Sequence, residues 1–231
     1  YDNLIKSLAF VLPTNFGEAL ILLSAVAFFP VNRGVPLLPM SPVQILWINL
    51  VATVTLALPL AFEAKEIDIM NRVPRKPHEP LLNRFVLFRT VLVAILIVII
   101  GLSLFLHVFN RETHDGTATT IELMKAQTMT VTSIVFLQIF YLLNCRSLQR
   151  SIFSIGILSN KSVLSGILIL IVLQIGFVHL PVMNTLFGSS PLDFYDWIES
   201  ILFGALVLPI ITIEKAIRKK KILTPAIERQ N

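Results

Sequence analysis

The sequence predicts an all-α fold, a polytopic membrane bundle of six transmembrane helices. Three observations carry that expectation. The 231 residues are 55% hydrophobic and only 14% charged, against roughly a quarter charged in soluble domains, and mean hydropathy is +0.80. The apolar residues are gathered into six runs of about 20 residues, the length that crosses a hydrocarbon core of about 30 Å. The basic residues are shared very unequally between the connections of those runs.

In order, the spans cover 5–29, 42–62, 85–108, 126–144, 161–180 and 196–214. The first, "FVLPTNFGEALILLSAVAFF", is an apolar run that holds Pro13, Asn15 and Glu18 within six positions. The second, "SPVQILWINLVATVTLALPLAFE", carries Asn49, Thr53 and a loosening Pro59. The third and sixth have apolar centres. The fourth, "MTVTSIVFLQIFYLLNCRS", holds Gln138, and the fifth holds Gln174 nearer the outer side. The connections "PVNRGVPLLPMSP", "RVPRKPHEP", "NRETHDGTATT" and "PVMNTLFGSSP" carry turn chemistry. Residues 1–215 are read as the six-helix domain and 216–231 as a basic cytoplasmic tail.

Six spans place both ends on one side. The opposite side holds only Arg33, Arg111 and Lys125 of the 19 Lys and Arg. Basic residues stay cytoplasmic, so both termini are expected there, in an integral membrane protein of the plasma membrane. The run Arg218–Lys221 reads as an anchor against anionic membrane lipid. Basic residues flank the spans instead of forming one patch, which argues against a nucleic-acid partner. A single cysteine, Cys145, excludes an intrachain disulfide and disfavours a metal cluster. The sequence starts inside a helix-like pattern without an initiating Met, as expected of a piece of something larger.

Depth follows from counting. Glu18 lies twelve residues past Lys6, roughly 18 Å along a helix, near the midplane. Asn15 is three positions earlier and shares its face. Pro13 cannot bond the carbonyl of Ala9, so a freed oxygen is expected nearby. Asn49 is about 10 Å in from Pro42, with Thr53 one turn further, and Gln138 is about 12 Å from Arg146. Three helices thus place oxygen-bearing side chains in one central slab. Asn, Gln and Thr in membrane helices also serve simply as interhelical glue, but an intramembrane carboxylate points to function. His107, His179 and Trp197 belong to the outer interface, and Asp196 and Glu199 are expected to be solvated. The residues by themselves imply a polar midplane site of low charge, for cation binding or proton relay.

"YDNLIKSLAFVLPTNFGE", with Tyr1, Asn3, Lys6 and Asn15-x-Gly17-Glu18, resembles the fifth membrane helix of P-type cation ATPases of the calcium and sodium–potassium branch. "SPVQILWINLV" resembles their sixth helix, "IDIMNRVPRKPHEPLL" the loop after it, and "LPVMNTLFGSSPLDFYDWI" the outer end of their ninth helix. The likeness runs in order along nearly the whole chain. It implies that Asn15, Glu18 and Asn49 are ligands of the transported ion. Thr53 and Gln138 stand where calcium pumps carry an aspartate and a glutamate. Both departures remove a carboxylate, so calcium or another small cation is open, including a monovalent ion or a proton.

The resemblance further implies partners: the first four membrane helices and the actuator, phosphorylation and nucleotide-binding domains, with Mg and ATP acting there. The phosphorylated Asp-Lys-Thr-Gly motif does not occur in these 231 residues, so this chain by itself is not expected to hydrolyse ATP. "HDGT", His114 to Thr117, is assigned to an outer loop. The rival expectation is a stand-alone membrane module for ion binding, leak or assembly without ATP coupling.

Overall fold

The computed structural model describes residues 2–32, 35–63, 84–113, 119–146 and 160–228, with side chains except at 31, 32, 35, 36 and 219–228. The Met-x-Arg loop motif and "HDGT" lie outside the described residues. Among the described residues, six helices are long and apolar enough to cross a membrane: Asp2–Phe28, Pro42–Leu60, Arg84–Glu112, Thr120–Cys145, Lys161–His179 and Phe194–Arg218.

The first span is α1 (Asp2–Phe28), followed by a two-residue hairpin of β1 (Val31–Asn32) and β2 (Val35–Pro36), with Val31 opposite Pro36. The second span is α2 (Pro42–Ala52), a π-helical stretch Thr53–Ala57, and α3 (Leu58–Leu60). The third is α4 (Arg84–Glu112), the fourth α5 (Thr120–Cys145) and the fifth α6 (Lys161–His179). A short outer helix, α7 (Pro181–Phe187), occupies what the sequence reads as a loop; it ends at Gly188, whose φ of 62° suits a residue without Cβ. The sixth span is α8 (Phe194–Ala205) followed by α9 (Val207–Glu228), which runs on through the basic segment.

Local chemistry explains the helix starts. Ser41 and Gln44 form a capping box, as do Thr119 and Glu122, and the Asn160 side chain accepts from the N–H groups of Ser162 and Val163. The central helix is α5, whose buried residues recur on every side from Ala126 to Cys145. The pairing of α1 with α4 rests on two reciprocal notches. A Cβ on Gly17 would meet Ile97 at 2.8 Å, and one on Gly101 would meet Ile21 Cδ1 at 2.8 Å. Small residues let membrane helices approach closely where packing, not hydrophobicity, drives association.

Two polar clusters tie the helix ends. At the end expected to be cytoplasmic, Arg146 grips both Glu63 oxygens at 3.1 Å, Asn160 Nδ2 donates to Glu63 Oε2 at 2.7 Å, and Asn3 Nδ2 donates to the carbonyls of Ala61 and Glu63 at 3.0 and 2.8 Å. At the other end, Arg111 pairs with Glu199 at 2.7 Å and Asp196 at 3.3 Å, Lys125 with Glu112 and Asp196, and His107 with Glu199. Here the structure corrects the expectation of solvated acids: Asp196 is 5% exposed. Two cations drawn from different helices enclose its carboxylate, and it also accepts from the Asp193 N–H in a cap.

Candidate cation site

The expected freed carbonyl on α1 is a second correction. The helix passes through Pro13 unbroken, and Ala9 O accepts the Tyr141 hydroxyl of α5 at 2.6 Å. A buried carbonyl must find a donor. Tyr141 supplies it, so this oxygen is used and does not point into the slab as a ligand. Tyr141 was not singled out from the sequence. The signal was available, because Tyr141 lies three residues past Gln138 and so on its face.

The slab itself is built by three helices. Glu18 on α1 is 1% exposed, and so is Gln138 on α5. Gln138 Nε2 donates to Glu18 Oε1 at 2.7 Å. Asn49, half-buried on α2, lies beside the same carboxylate without completing a hydrogen bond to Oε2. Its backbone carbonyl accepts the Thr53 N–H, so only the side chain is available. Among the described residues the buried side-chain oxygens left without a donor are Glu18 Oε2, Asn49 Oδ1, Gln138 Oε1 and Ser133 Oγ. Three of these four belong to one cluster.

Unsatisfied buried oxygens are rare in folded proteins and each calls for a reason. A carboxylate oxygen and two amide carbonyls are hard acceptors, suited to a small cation and unsuited to soft metal chemistry. Among the described residues no group of three or more His, Cys, Asp or Glu is placed to hold a metal ion, and the donors of this cluster are one acid and neutral amides. The other two candidates stand apart. Asn15 and Thr53 are exposed; they flank apolar residues that are also exposed, Phe16 on α1 and Leu50 and Val54 on the second span. Gln174 is engaged elsewhere: it accepts from Trp47 Nε1 at 3.4 Å and donates to Thr132 Oγ1 at 3.1 Å.

Comparison with known proteins bears on this arrangement. The family described as "Cation transporting ATPase, C-terminus" matches residues 37–217. The chain belongs to that family. It is 36% identical over 214 residues to the "Probable cation-transporting ATPase F" of Mycobacterium tuberculosis, covering 93% of this chain and 22% of the relative. It is 37% identical over 218 residues to the "Cation-transporting ATPase pma1" of Synechocystis, covering 91% and 22%. To the "Calcium-transporting ATPase 1" of Bacillus cereus it is 30% identical over 232 residues, covering 95% and 25%. The chain therefore spans about a quarter of the length of these cation-transporting ATPases, the C-terminal membrane part. The family and the six apolar helices make it an integral membrane protein.

Proposed function

We propose that the chain forms the C-terminal membrane part of an ATP-driven cation pump and supplies one wall of its midplane ion site. The observation that carries this reading is the convergence of Glu18, Asn49 and Gln138, each with a buried oxygen and no donor. In this reading Asn15 and Thr53 open toward the remaining membrane helices, which complete the shell. Mg and ATP act on the actuator, phosphorylation and nucleotide-binding domains beyond this chain, and phosphorylation there drives alternating access at the site. Both termini face the cytoplasm, as the Lys and Arg distribution supports.

The cargo follows from charge count. Calcium sites gather 6–8 oxygens, usually with several carboxylates. One carboxylate with amides fits a single small cation, monovalent or divalent, better than two calcium ions. The test uses the intact pump. Glu18→Gln keeps shape and removes the charge, so ATP hydrolysis stimulated by Ca2+, Na+ or K+ should fall to the unstimulated level. Unchanged cation dependence in a well-assembled Glu18→Gln protein would make the glutamate structural and sink the reading.

A further inference from the structure

The second span is regular up to Ala52, then widens into the π-helical stretch Thr53–Ala57, where the Leu58 N–H bonds Thr53 O across five residues. Such stretches are rare and hold an extra residue within a helix, with a local change of direction. The stretch begins at Thr53, one turn from Asn49, and so sets how that half of the span meets the cation site. Two features surround it. Pro59 has no N–H to give the Thr55 carbonyl, its partner in a regular helix. And α6 presents Gly166 directly to that carbonyl: a Cβ there would lie well inside contact distance of Thr55 O, and 3.0 Å from Pro59 Cγ. The absence of a side chain leaves room for the displaced carbonyl between the two helices. On the opposite side, the Ser7 hydroxyl of α1 donates to Ala57 O at 3.5 Å. The wide turn is thus bonded from α1, given room by α6 and relieved of a helix bond by its own proline.

We infer that Gly166 and Pro59 are positioning residues for the cation site: together they hold the second span in its π-helical form, and that form orients Asn49 and Thr53. Neither residue touches the ion. The inference rests on the cation-site reading above. Pro59→Ala returns an N–H to Thr55 O and lets the stretch tighten into a regular helix. A regular turn closes on four residues and a π turn on five, so tightening rotates Asn49 and Thr53 relative to Glu18. Gly166→Ala acts from the other side by pressing a methyl onto the displaced carbonyl.

The test measures ATP hydrolysis by the intact pump against separate titrations of Ca2+, Na+ and K+, using each that stimulates the wild type. Pro59→Ala should raise the half-saturating concentration about tenfold while the rate at saturation stays within about twofold, a split that general destabilisation does not produce. Gly166→Ala is expected to lose assembled protein, and Gly166→Ala with Pro59→Ala should regain it, because the drawn-in carbonyl makes room for the methyl; such non-additivity marks residues in contact. Unchanged half-saturation in Pro59→Ala beside a dead Glu18→Gln would overturn the positioning role and leave the cation site standing. No recovery in the double variant would overturn the shared notch. An unaffected Glu18→Gln would remove the site and this inference with it.

Discussion

Glu18 and Glu63 are both buried glutamates facing α5, and they are treated in opposite ways. Glu63, just past α3, has its two oxygens held by Arg146 and Asn160. Glu18, in mid-span, has one oxygen on a neutral amide and one on nothing. The first arrangement neutralises the acid within the chain and ties the ends of the second and fourth spans and the start of α6. The second leaves a carboxyl oxygen without a donor in mid-span, and under the proposed function that oxygen is the place kept for a cation. Burial does not separate the two; partners do.

The largest expected effect crosses the two regions. Arg146→Met leaves Glu63 buried with its cation removed, and breaking such a pair costs about 3–5 kcal/mol. Thermal unfolding of the intact protein in detergent should show that loss, while Glu18→Gln, which keeps the shape and an acceptor for the Gln138 amide, should unfold no earlier than the wild type. If Glu18→Gln were the more destabilising of the two, Glu18 would be the structural acid and the contrast would be reversed.

A smaller effect sharpens the contrast at the edge of the site. Thr53→Asp adds a second carboxylate beside the Glu18 slab, on a residue that the proposed function turns toward the remaining membrane helices, where a bound cation offsets the cost of the added charge. Affinity for hard divalent ions rises with ligand charge. The Ca2+ concentration for half-maximal ATP hydrolysis should fall by roughly threefold to tenfold. Equal Ca2+ dependence in the two proteins would show that Thr53 does not line the ion path.

Much of this was legible in residue types and spacing. The six spans follow from apolar runs, and Glu18, Asn49 and Gln138 were placed in one slab, together with Asn15 and Thr53, by counting residues from the ends of the spans. What escaped is three-dimensional. Asn15 shares a face with Glu18 by its spacing, yet the buried stripe of α1 through Ala9, Pro13, Gly17 and Ile21 leaves it on the outer edge. Three residues along a helix is a rotation of about 60° from eclipse, enough to cross from inside to outside. The Ala9 carbonyl looked available because its donor, Tyr141, comes from a helix more than a hundred residues away. Asp196 looked solvated because the cations that enclose it, Arg111 and Lys125, belong to other spans. The π-helical stretch follows from Pro59 and Gly166 together, and no local pattern joins two residues so far apart.

The smallest expected effect concerns Gln174, which has the same side chain as Gln138 and the opposite use. Its oxygen takes the Trp47 indole N–H and its nitrogen gives to Thr132, so it binds the second, fourth and fifth spans through neutral bonds. Trp47 is also stacked on Phe177 of α6, with ring centroids 5.4 Å apart, and that contact survives loss of the amide. Hydrogen bonds between membrane helices average about 0.6 kcal/mol each. Gln174→Leu replaces two such bonds by an apolar side chain of similar size, and the loss should come to about 1 kcal/mol in thermal unfolding of the intact protein. Half-saturation of ATP hydrolysis by Ca2+, Na+ or K+ should not move. Gln138→Leu should weaken cation dependence because it removes an oxygen from the cluster around Glu18, and it should also lower the unfolding temperature because Glu18 Oε1 loses its donor. If Gln174→Leu shifted the cation titration as far as Gln138→Leu does, a polar residue engaged by two partners would be acting as a ligand, and the presence of partners would no longer separate structural oxygens from ion-binding ones.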